Sequence, residues 1–169
     1  MYSNFFTKSR KDEIIILLSV IVIGYGNPNR QDDGVGHYVA DRIADKIDQS
    51  SNKQIDVLTC HQLEVELIET IKDYDVVIFV DAQSNERSAN LEISEVESIY
   101  STSAFTHFMK PSSLIALTEC LYKKKPKALL VSINGYSFDF GTDLSPETQK
   151  WGDIAVNEIL RLIEQLTDH

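Results

Sequence analysis

Apolar positions change their spacing several times along the chain, and each change predicts an element. Ile14 to Gly24 is rich in β-branched residues and broken by a polar residue only at Ser19. Such a run predicts a buried central strand stopping at glycine. The turn Gly24-Tyr25-Gly26-Asn27-Pro28-Asn29-Arg30-Gln31-Asp32-Asp33-Gly34 follows. Val35, Val39, Ile43 and Ile47 then recur every fourth residue, which predicts a helix from about Gly34 to Asp48 with His37, Asp41 and Asp45 on a solvated face. Ile55–Thr59 predicts a short strand. Gln62–Lys72 predicts a helix with Leu63, Leu67 and Ile71 inward and Glu64, Glu66 and Glu69 more exposed. Val76–Val80 is apolar throughout, as in a strand covered on both faces, and ends at Asp81. Leu91–Val96 alternates apolar with polar, which suits a sheet edge.

Ser98–Met109 is expected to be a loop that carries His107. Pro111 suits the first position of a helix containing Leu114, Leu117 and Leu121 and ending near Lys123. Ala128–Ile133 predicts the last core strand, and Asn134–Leu144 a glycine-punctuated loop. Ser145 and Pro146 suit the N-cap and first residue of a final helix. Its apolar stripe is Trp151, Ala155, Ile159, Leu162, Ile163 and Leu166. Strands alternating with helices imply an α/β fold. The expected architecture is a three-layer αβα sandwich around a mostly parallel five-stranded sheet, with an antiparallel course open to one edge strand. Residues 1–13 are expected to form a flexible N-terminal extension, and 14–169 a single domain.

The length of 169 residues fits one domain with a core of its own. Sixteen basic against 26 acidic residues give a formal net charge of -10. That excess repels phosphate backbones and anionic lipids, which argues against nucleic-acid or membrane-surface binding. Metal ions, cationic groups or a protein partner fit better. The longest apolar run, Ile14–Ile23, is about half of the ~20 residues that span a bilayer. Asp12 and Glu13 precede it, unlike the basic start of a secretory signal. Two cysteines are too few for a disulfide framework, so a reducing cytoplasm is expected. Nothing in the chain demands more than a monomer.

In open α/β sheets, ligands bind beyond the carboxyl ends of the strands. That rule selects Asn27, Asp32 and Asp33 in the first turn and Asp81 after the third strand, with His107 brought in by its loop. Two carboxylates and an imidazole suit zinc, nickel or manganese, and they also suit general acid/base work. The plainer alternative is that Asp32 or Asp33 caps a helix while Asp81 merely ends a strand. A dinucleotide site fits poorly. Asn29 stands where a third glycine is needed, and the acidic pair would repel a pyrophosphate. A phosphorylated receiver domain needs a lysine after the last core strand, where Ser132-Ile133-Asn134 has none.

Ile23-Gly24-Tyr25-Gly26-Asn27-Pro28, followed by Asp32-Asp33-Gly34-Val35-Gly36, resembles the signature of the hydrogenase maturation endopeptidases. His61-Gln62-Leu63 with Glu66-Leu67, Val80-Asp81-Ala82, Thr106-His107 ahead of Pro111, and Gly135 to Pro146 resemble that family's later motifs. The resemblance runs from about Val20 to Leu166. The departures are Asn29, where leucine is common, and Gln31, where a small residue is common.

The resemblance implies an endopeptidase that removes a C-terminal peptide from the large-subunit precursor of a nickel-iron hydrogenase. By position it implies metal contacts from Asp33, Asp81 and His107, with Asp33 and Asp81 also the catalytic carboxylates. It implies nickel carried by the substrate, for which zinc or cadmium would stand in in vitro. Two other readings stay open: a non-catalytic metal-sensing module that binds the precursor, and a small metallohydrolase with another substrate.

Other candidates carry plainer readings. His61 and Cys60 are neighbours on a strand and point to opposite faces, a poor geometry for a catalytic pair, so His61 is expected to line the cleft or cap the next helix. Cys60 and Cys120 are expected to be packed, and Trp151 to be core. Lys123, Lys124, Lys125 and Lys127 are expected to complement a helix end. The Asn27 amide either orients a substrate carbonyl or stabilises its own turn.

Overall fold

The computed structural model describes residues 18–47, 54–84, 89–99 and 109–167. The expected N-terminal extension, the first residues of the expected first strand and the His107 loop lie outside them. The elements are β1 (Val20–Tyr25), a 3-10 turn (Gln31–Gly34), α1 (Val35–Lys46), β2 (Ile55–Cys60), a 3-10 turn (Val65–Leu67), α2 (Ile68–Ile71), β3 (Val76–Gln83), β4 (Leu91–Glu95), α3 (Pro111–Tyr122), β5 (Lys127–Asn134) and α4 (Pro146–Thr167).

The strands form one sheet in the order β2-β1-β3-β5-β4. The first three pairings are parallel, and β4 runs antiparallel to β5 at the edge. Successive strand residues face opposite layers, which is why continuous apolar runs were needed. Val20 and Val22 of β1 and Val76, Ile78 and Val80 of β3 pack on Val35, Val39 and Ile43 of α1 and on Ala155, Ile159 and Ile163 of α4. Ile21 and Ile23, with Val77 and Phe79, pack on the other side against Leu63, Ile68 and Ile71 and against Leu114 and Ile115 of α3. The architecture is the expected three-layer α/β sandwich.

Several elements differ from the sequence expectation. β1 begins at Val20, because Ser19 is held outside it by Asp75. The Ser19 amide and hydroxyl donate to Asp75 Oδ2 at 3.0 and 2.9 Å. The expected helix over Gln62–Lys72 contracts to a 3-10 turn and a four-residue helix. Glu64 is extended, and the Leu63 carbonyl accepts the Met109 amide at 3.0 Å rather than continuing a helix. β3 continues past Asp81 to Gln83, because β5 offers partners as far as Asn134. Cys120 is exposed on α3 rather than packed, and Cys60 is half-buried.

The lysine run ends α3 as expected. Lys123 takes a left-handed conformation at φ 56°, and its ammonium donates to the Cys120 carbonyl at 3.0 Å. Lys124 pairs with Asp75 at 3.4 Å and Lys125 with Glu119 at 3.5 Å. Trp151 lies half-buried against the α1–α4 side of the core.

Candidate functional site

β1 has β2 on one side and β3 on the other, so the chain departs in opposite directions from the carboxyl ends of β1 and β3. That divergence opens a crevice beyond the sheet, the usual ligand position in such folds. The turn after β1 lies at this edge of the sheet. Gly26 has φ 131°, and a Cβ there would meet the Asp33 carbonyl oxygen at 2.1 Å. At Gly36 a Cβ would meet the carbonyl oxygens of Tyr25 at 2.5 Å and Val80 at 2.6 Å. Glycine at these positions lets the start of α1 sit directly on the ends of β1 and β3.

Asp33 is half-buried in this turn, and its Oδ2 accepts the Asn27 amide at 2.9 Å. The Asn27 side-chain oxygen accepts the Asn29 amide at 2.9 Å, so Asn27 stabilises its own turn. Asp81 is half-buried on β3. Burial pushes its carboxyl up to about 6. A bond to Tyr25 and the Ala82 amide counter that push, and the charge of Asp33 adds to it. The structure thus brings Asp33 and Asp81 into electrostatic contact across about fifty residues of sequence. Burial also drives the Tyr25 phenol well above its ordinary range, reinforced by Asp81. Tyr25 therefore keeps its proton and stands as a donor beside the carboxylate. In the sequence, Tyr25 is marked only by its place between Gly24 and Gly26 at a strand end.

His107 lies outside the described residues. The chain returns at Met109, whose amide bonds to the Leu63 carbonyl and whose side chain packs on the layer that Tyr25 faces. Among the described residues, no three His, Cys, Asp or Glu side chains are grouped to hold a metal ion. Asp33 and Asp81 provide two oxygen-donor positions.

Asp32 has a role that its place in the turn does not reveal. Neither it nor Asp33 caps α1, whose first residues lack a side-chain cap. Asp32 is fully buried. Its Oδ2 accepts the amides of Tyr136 at 2.8 Å and Ser137 at 2.9 Å, and its Oδ1 accepts the Ser145 amide at 2.6 Å. The hydroxyls of Ser145 and Thr148 lie 2.7 and 2.8 Å from Oδ2. Burial alone would raise this carboxyl, but the bonds from Ser145, Tyr136 and Thr148 outweigh it and hold the group below the usual carboxylate range. Ser145 also caps α4 as expected, its hydroxyl accepting the Thr148 amide at 3.3 Å.

Further bonds tie the first turn to the late loop. The Gln31 amide donates to the Gly141 carbonyl at 2.8 Å, and the Gly141 amide to Asn29 at 3.0 Å. Gln31 adopts φ 45°, so this departure from the family pattern falls on a left-handed residue, and its side chain meets the Ser137 hydroxyl.

His37 is not on a solvated face. Its Nε2 lies 3.0 Å from the carbonyl oxygens of both Gly26 and Cys60, joining the first turn to the end of β2. His61 is exposed and, with Cys60, Gln62, Glu64 and Leu67, lines a cavity of about 650 Å³ beside β2.

A five-stranded sheet between two helical layers, with Asp81 near the carboxyl end of β3 and within reach of the Asp33 charge, defines an α/β protein with two acidic side chains at one edge of its sheet. A family model described as "Hydrogenase maturation protease" matches residues 37–162. The chain belongs to that family, and so to a family of peptidases. Among solved structures, it is similar to a hydrogenase maturation protease of Thermococcus kodakarensis KOD1, at 17% identity and a TM-score of 0.70, covering 87% of this chain and 93% of that one. It is also similar to a hydrogenase maturating endopeptidase of Escherichia coli, at 17% identity and a TM-score of 0.69, covering 88% of this chain and 93% of that one. At such identity these likenesses speak for the fold. Comparison with curated proteins gives no match. No helix among the described residues is long and apolar enough to cross a membrane.

Proposed function

We propose that this protein is the endopeptidase that removes a C-terminal peptide from the nickel-loaded large-subunit precursor of a nickel-iron hydrogenase. The observation that carries the reading is that the Asp33 charge reaches Asp81 at the carboxyl ends of the paired strands β1 and β3, where the chain departs from them in opposite directions. In this reading Asp33 and Asp81 present carboxylate oxygens and His107 an imidazole nitrogen to the nickel of the substrate. Zinc or cadmium would occupy the same donors in vitro. One carboxylate takes a proton from the water that adds to the scissile carbonyl and passes it to the departing amine. Asp81, pushed up to about 6, works closer to neutrality than an ordinary carboxyl, and the Tyr25 hydroxyl orients it. The protein acts as a monomer in the cytoplasm, which its two free thiols suit.

The test is incubation of purified protein with nickel-loaded and nickel-free precursor, read by mass spectrometry. Shortening of the loaded form alone is expected. Asp33→Asn, Asp81→Asn and His107→Ala are each expected to abolish cleavage while leaving circular dichroism unchanged. Full activity in all three variants would end the site assignment. Stable binding of loaded precursor without shortening would identify a metal-sensing binding module instead.

A further inference from the structure

The late loop held by Asp32 carries the most exposed large apolar side chain among the described residues. Phe140 is 93% exposed, and Tyr136 on the same loop is 50% exposed. A lone exposed apolar residue usually needs no explanation. Phe140 differs because the backbone on both sides of it is tied down. The Arg30 guanidinium donates twice to the Phe138 carbonyl, at 3.1 Å from Nε and 2.8 Å from Nη2. Gly141, immediately after Phe140, exchanges bonds with Asn29 and Gln31. The ring is therefore displayed from a preorganised support, and little backbone freedom remains to be lost on contact. Aromatic anchors on such supports dominate many interfaces.

Two further features say what covers it. Asp139 and Asp143, one residue before Phe140 and three after it in sequence, are exposed, in a chain of net charge -10. They complement a basic rim. The bonds that hold Phe138 and Gly141 end on residues 29–31, two positions from Asp33, so whatever seats on Phe140 is held in register with the carboxylate pair.

We propose that Phe140 is the docking anchor for the folded body of the protein substrate, entering an apolar pocket rimmed by lysine or arginine. This rests on the endopeptidase reading above. It adds a specificity-determining residue outside the crevice, one that recognises the folded precursor rather than the peptide to be removed.

The test is steady-state cleavage of nickel-loaded, full-length precursor by wild type, Phe140→Ala and Phe140→Leu, with thermal melts in parallel. Phe140→Ala is expected to raise KM about tenfold with kcat unchanged, Phe140→Leu to raise it less, and both to melt with wild type. An unchanged KM, or a lower kcat at unchanged KM, overturns the proposal. So does a lowered melting temperature, which would mean the ring is packed. If wild type leaves the precursor uncut, the endopeptidase reading fails by itself. Titration of precursor onto wild type and Phe140→Ala then decides the anchor, and equal or absent binding overturns it.

Discussion

Replacing Asp32 by asparagine tests the link between the two ends of the chain. The carboxylate accepts three backbone amides at 2.6 to 2.9 Å and has two hydroxyls within 2.8 Å, all in a fully buried position. Asparagine keeps one acceptor oxygen and turns an NH2 group towards donors. At least one buried amide is then left unpaired, and the bonds that remain lose their charge assistance. Hydrogen bonds to charged groups contribute about 1.5–3 kcal/mol each, and a buried donor left unpaired costs about 1–3 kcal/mol. Since the bonds share one carboxylate, they do not add, and we expect Asp32→Asn to cost about 3–5 kcal/mol at pH 7.

The pH dependence sharpens this test. The folded-state value of Asp32 is depressed, so its stabilisation is fully present above the unfolded value near 3.8 and is lost as pH falls through the folded value. Urea unfolding of wild type and Asp32→Asn at pH 7 should show the full gap, and at acid pH a shrinking one. Hydrogen exchange should show loss of protection at the Tyr136 and Ser137 amides. A gap under 1 kcal/mol at pH 7, or one of equal size at both pH values, would refute the reasoning.

Asp81 should behave in the opposite sense. Its folded value is raised from 3.8 to about 6, so the folded state binds the proton more tightly, and stability falls as pH rises between those values. Asp81→Asn should therefore match wild type near pH 4 and exceed it by up to about 3 kcal/mol at pH 8, measured by chemical denaturation. Parallel pH profiles would contradict the burial argument. Gly36→Ala should cost about 3 kcal/mol, because its Cβ would meet two backbone oxygens closer than 2.7 Å and lift α1 from the sheet. A melting temperature equal to wild type would show that the helix start has room to move.

The layered architecture was legible because its causes are local. Continuous apolar strands such as Val76–Val80 need cover on both faces, and the four-residue spacing from Val35 to Ile43 can form only one buried stripe. The short helix after β2 was not legible. Its apolar spacing fits a longer helix, yet the Leu63 carbonyl is taken by Met109, a partner distant in sequence. His37 shows the same limit. Its spacing groups it with Asp41 and Asp45, whereas the carbonyls that bind it come from β1's turn and from β2.

For the acidic pair, sequence by itself placed Asp32 and Asp33 together after a buried strand and Asp81 near the end of another. Adjacent aspartates in one turn present identical chemistry, so no pattern divides their work. Tertiary structure divides it. The backbone sends Asp32 inward to the amides of a loop more than a hundred residues away, and leaves Asp33 on the Asn27 amide, where its charge acts on Asp81. Periodicity records which side of an element is buried, whereas the partners of a buried charge depend on how distant segments meet.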